Sequence, residues 1–146
     1  MNTRLNASLA ALLLASFSGV ALAAAPQVHD QHVDPLPAPV FDAKGIARTE
    51  TVRHQYDSST EALQVRVDFA RDASFPGHSH PGVEIAYVLK GAIEYKMNGQ
   101  TIRLQAGESL YIPAGTVHSA KNVGAGITSE LATYLVEKGK PVVVLK

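Results

Sequence analysis

The chain has no cysteine, so it has no disulfide framework and no thiolate chemistry. It has no charge excess either. Its 13 Lys and Arg balance 13 Asp and Glu, which excludes strong attraction to nucleic acid or to anionic lipid. No internal repeat of fixed period is present. No pattern supports a helix of more than a turn or two, and no run beyond the first segment is apolar enough to cross a bilayer, which takes about 20 apolar residues. At 146 residues there is room for one domain. A small domain without disulfides must draw its stability from a good core, a metal or a partner subunit.

The first segment, MNTRLNASLAALLLASFSGVALA, has a short polar start with Arg4, an apolar run from Leu9 to about Val20, and small residues at Ala21 and Ala23. This layout predicts a secretory signal peptide over residues 1–23, and with it export to a bacterial periplasm. Cleavage after Ala23 would remove one base and no acid, leaving a formal charge of −1. No membrane attachment is expected after cleavage. Residues 24–45 carry four prolines and read as an N-terminal arm or linker. His29 and His32 lie in this arm, and we read them as solvated residues and not as an accessory metal site.

From residue 46 to residue 146 the pattern is β throughout. IARTETVRHQY is a modest strand. In ALQVRVDFA, Leu63, Val65, Val67 and Phe69 share one face, and Gln64, Arg66 and Asp68 share the other. VEIAYVLKG is a more hydrophobic strand. AIEYKMNGQTIRL is a hairpin turning at Asn98-Gly99. GESLYIPAG, TSELATYLVEKG and PVVVLK complete the set. Many short strands with regular turn punctuation predict an all-β antiparallel sandwich or barrel.

The chemistry concentrates in FPGHSHPGVEIAYVLKG, residues 75–91. His78 and His80 are two apart, so on extended chain they point to one side. Glu84 follows four residues later, in phase with that face if the strand stays regular. Two imidazoles and a carboxylate are three arms of a site for a borderline cation. The best fourth arm is His118, which follows the strand-ending turn Pro113-Ala114-Gly115. Such a set suits iron, manganese, nickel, copper, cobalt or zinc. In a six-coordinate ion it leaves two positions for water, oxygen or substrate.

These residues resemble the two motifs of the cupin superfamily. The first is His-x-His, a short gap, Glu, six residues and Gly, matched by His78, His80, Glu84 and Gly91. The second is Gly, five residues, Pro-x-Gly, two residues, His, three residues and Asn, matched by Gly107, Pro113, Gly115, His118 and Asn122. The resemblance implies a jelly-roll barrel in which His78, His80, Glu84 and His118 bind one divalent metal. It implies activities such as dioxygenase, decarboxylase, isomerase or lyase on a small oxygenated substrate, with Glu84 also able to take a substrate proton. A non-catalytic binding module is the alternative. The resemblance also implies a homodimer that trades N-terminal strands, with the arm before Ile46 either exchanged or left free.

On this reading Gly91 and Gly107 serve turns that use positive φ, and Pro113 and Gly115 shape the turn before His118. Asn122 is expected to hold turn backbone more than a ligand. The aromatic candidates near the site are Phe69, Phe75, Tyr87, Tyr95 and Tyr111, and Arg66 is an outside candidate for an anionic substrate.

Overall fold

A computed structural model describes residues 36–146. The signal-peptide segment, His29 and His32 lie outside the described residues. Among those described there is no helix, only ten strands: β1 (Ile46–Gln55), β2 (Thr60–Phe69), β3 (Ser74–Ser79), β4 (Gly82–Lys90), β5 (Ala92–Met97), β6 (Gln100–Gln105), β7 (Ser109–Ile112), β8 (His118–Asn122), β9 (Thr128–Glu137) and β10 (Val144–Leu145). They form two five-stranded sheets, ordered β1-β2-β9-β4-β7 and β10-β3-β8-β5-β6. Every pairing is antiparallel. This is the jelly-roll arrangement expected of the pattern, two sheets facing each other across one core.

Alternation decides which residues enter that core. On β2, Leu63, Val67 and Phe69 are buried and Val65 is half-buried. On β9 the inward set is Glu130, Ala132, Tyr134 and Val136, all buried. Ile93, Tyr95, Leu104 and Ala120 close the core from the second sheet. The expected hairpin joins β5 to β6 through Asn98 (φ 53°) and Gly99 (φ 75°), the pair of left-handed residues that a two-residue turn between twisted strands requires. Gly91 and Gly107 both adopt positive φ, 80° and 94°.

Two strands were not legible as such. β3 contains Pro76 and Gly77, and β8 reads HSAKN, with little β-forming character. The structure pairs them with each other across a bulge between Phe75 and His78. The bulge absorbs the Pro-Gly step, since proline has no N–H for the ladder. Glu84 is also not on one continuous strand face with the two histidines. The chain leaves one sheet after Ser79 and enters the other at Gly82. There a Cβ would lie 2.0 Å from the Leu135 carbonyl oxygen, so only glycine lets the crossing chain come this close. His78 and Glu84 therefore reach the interior from opposite sheets, and His80 from the crossing between them.

Candidate metal centre

Four side chains converge between the sheets. His78 ends up directly opposite His118 in the β3–β8 register, with ring centroids 4.1 Å apart. His80 follows β3, and its ring lies 4.9 Å from that of His78 and 5.2 Å from that of His118. Glu84 enters from β4, its Oε2 2.8 Å from His80 Nε2 and 3.4 Å from His118 Nε2. One ligating atom from each of the four lies within 4.8 Å of the others, and all four residues are buried.

The backbone sets the direction of each ring. His78 Nδ1 lies 2.9 Å from the Pro76 carbonyl oxygen, His80 Nδ1 2.5 Å from that of Val142, and His118 Nδ1 3.1 Å from that of Thr116. A carbonyl only accepts, so each Nδ1 carries the ring's proton and donates it outward. Three Nε2 lone pairs are left pointing at one another and at a carboxylate. His80 Nε2 and Glu84 Oε2 are buried with no hydrogen-bond partner. Two acceptors 2.8 Å apart in a dry interior call for a cation between them. The donor set therefore fits a divalent transition ion: nitrogen and oxygen ligands, oriented by backbone carbonyls.

Protonation favours the same state. Burial pulls the His78 imidazole down to about 4, and the neighbouring His118 and His80 pull in the same direction. Its lone pair is thus free at neutral pH. Burial works to raise the Glu84 carboxyl, but a proton or cation shared with the facing His118 and His80 outweighs it and lowers the group to about 2. Glu84 is therefore ionised at neutral pH.

The chamber beside these ligands has further polar walls. Glu130 and Tyr134 project into it from β9, and Tyr95 from β5. The Tyr95 hydroxyl donates to Glu130 Oε2. Burial, and then the Glu84 charge, pushes Glu130 up to about 8, so it holds a proton at neutral pH. Burial likewise keeps both phenols protonated. Sequence reasoning missed Glu130 and Tyr134. The available signal was their phase, because a carboxylate in register with Ala132, Tyr134 and Val136 on the core face of a strand is out of place unless it has work to do there.

Other candidates fall elsewhere. Phe69, Phe75 and Tyr95 line the chamber. Tyr87 and Tyr111 are exposed on the outer face. Arg66 is also on the outer face, bound to Asp68 at 2.8 Å and to the Pro37 carbonyl at 2.8 Å; it takes no part in the interior. Asn122 binds backbone, as expected: its Nδ2 reaches the carbonyls of Phe69, Ala70 and Gly126.

Comparison with known proteins gives the same picture. A family model described as a Cupin domain matches residues 65–136. The structure of KdgF from Halomonas sp. superposes with a TM-score of 0.60 at 25% identity, covering 70% of this chain and 89% of that one. A recombinant oxalate oxidase in complex with glycolate superposes with a TM-score of 0.56 at 26% identity, covering 71% of this chain and 56% of that one. In sequence, 55 residues are 48% identical to the HTH-type transcriptional regulator PuuR of Escherichia coli (strain K12), 38% of this chain but 30% of the regulator. The chain thus spans under a third of the curated regulator and little more than half of the oxidase.

Proposed function

The chain belongs to the cupin superfamily, and from this we propose that it is a metal-dependent enzyme acting on a small oxygenated substrate, with dioxygenase-like chemistry. The observation that carries the reading is the composition of the chamber. His78, His80, Glu84 and His118 would hold the ion, and a second, proton-bearing carboxyl and two phenols stand beside them. A site that only binds has no need for a buried acid that holds its proton at neutral pH; a site that moves protons does. When bound, the ion would supply Lewis acidity toward a substrate oxygen and, if redox-active, a means of using dioxygen.

The residues divide the remaining work. Glu84, ionised, accepts a proton from the substrate. Glu130, protonated and held by Tyr95, returns one. Phe69, Phe75 and Val67 keep water out of the chamber. The oxalate oxidase complex with glycolate favours a small oxygenated substrate. Iron, manganese, nickel, copper, cobalt and zinc all suit the ligand set, and the supply in the compartment decides among them. We propose a periplasmic location, on the signal-peptide layout of residues 1–23, and a small molecule as partner.

The second reading is a binding module without turnover, favoured by the 48% match to a segment of a transcriptional regulator. Oxygen uptake separates the two. The protein, reconstituted with each metal in turn, is assayed against catechols, flavonols, diketones and short hydroxy acids. Uptake with at least one substrate, lost in His118→Ala and reduced at least tenfold in Glu130→Gln at unchanged metal content, is the expected result. Saturable binding with no turnover for any metal would establish the module instead.

A further inference from the structure

We propose that Arg48 is the substrate's carboxylate receptor, so that the substrate is a short-chain acid held by its carboxylate at the chamber mouth with its other oxygens toward the metal ligands. This rests on the metal-dependent reading above and specifies its substrate class.

Arg48 sits on β1, the edge strand, opposite Val67. Val67 faces the core, so Arg48 takes the same side of the sheet, but it is exposed, at the place where the barrel opens. Five arginines are among the described residues. Arg53 pairs with Glu50 and Glu61, Arg66 with Asp68, Arg71 with Asp72, and Arg103 with Glu94. Arg48 alone has no carboxylate partner. Its guanidinium lies instead over the Phe75 ring, 4.2 Å from the centroid. A cation–π contact engages no N–H donor in an ion pair, so the guanidinium keeps the donors that can grip a carboxylate with two parallel hydrogen bonds.

The position is a gateway. Arg48, Tyr134 and Val143 line both the inner chamber and an outer cavity of about 260 Å³. The inner chamber itself has about 10 Å³ free, room for an ion or one water but not for an acid. A substrate must therefore lie across the boundary, and the boundary is where the unpaired cation stands. Phe75 touches both ends: Arg48 lies over its ring, and the His78 ring meets it edge-on with centroids 4.7 Å apart. Both ends thus lie within reach of one aromatic ring, which suits a short acid. In the outer cavity, Glu50 has both oxygens engaged by Arg53 at 3.0 and 2.7 Å, so it does not compete for Arg48.

The test uses the full protein loaded with cobalt, with metal content checked first. Glycolate and its neutral counterpart glycolamide are titrated by calorimetry into wild type, Arg48→Ala and Arg48→Lys. Glycolate affinity should fall at least tenfold in Arg48→Ala and less in Arg48→Lys. Glycolamide should bind all three alike, and metal content should not change. Equal glycolate affinity in wild type and Arg48→Ala, or no glycolate binding by the loaded wild type, overturns the assignment and leaves the metal site standing. A wild-type protein that takes up no metal overturns the reading beneath it.

Discussion

Asn122 shows how much one side chain organises. It is fully buried. Its Nδ2 donates to three carbonyls, and its Oδ1 accepts from Gly124 N at 2.8 Å and from the Thr128 hydroxyl at 2.7 Å. These bonds tie the end of β2, the turn after β8 and the start of β9 to one another. Replacement by alanine leaves several buried groups without partners, each costing about 1–3 kcal/mol. Asn122→Ala should therefore lower stability by roughly 3 kcal/mol or more in urea denaturation of the metal-free protein; a loss under about 1 kcal/mol would mean the network is dispensable. At this scale the convergence of His78, His80, Glu84 and His118 was legible because their spacing is chemical: imidazoles two apart, a carboxylate four on, a histidine after a rigid turn. Glu130 was legible only through its phase with Ala132, Tyr134 and Val136, and Arg48 was not, because IARTETVRHQY has no clear alternation to tell its inward face from its outward one. Arg66, an outside candidate that alternation sets opposite the apolar face, does lie on the outer face, bound to Asp68.

Among the elements, the shortest strand has the most direct link to the site. β10 lies on the edge of its sheet, and Leu145 is opposite His78. Just before it, the Val142 carbonyl accepts from His80 Nδ1 at 2.5 Å, and just after it Lys146 N donates to the Gly77 carbonyl at 2.9 Å. The C-terminal segment thus fixes both the tautomer and the aim of one ligand. Deleting residues 141–146 should weaken metal binding about 10–100-fold, measured by competition with a chelator, while far-UV circular dichroism still reports a β fold. Unchanged affinity would show that His80 needs no such support. PVVVLK was legible as a strand, but its role was not, because a contact across 62 positions leaves no trace in local pattern. β3 and β8 were hidden for a different reason. Their Pro76-Gly77 step and polar composition oppose regular sheet locally, and tertiary pairing across a bulge overrides that preference.

At the scale of the whole molecule, two facing sheets bring together groups that neither could assemble alone. His78 and His118 come from one sheet, Glu84 from the other, and His80 from the crossing between them. The fold class was legible from period-two alternation and turn punctuation, which reflect burial on one face of a strand. The closure of the sheets over a common centre was legible only through the resemblance of the two motifs. His80 Nε2 and Glu84 Oε2 are buried acceptors without a hydrogen-bond partner, which a cation would satisfy, so binding one should stabilise the fold. Elemental analysis of the protein, purified without a histidine tag, tests this most directly. About one equivalent of a transition metal, lost in His118→Ala, is the predicted result. A wild-type protein that stays metal-free after exposure to iron, manganese, nickel, copper, cobalt and zinc in turn would contradict it.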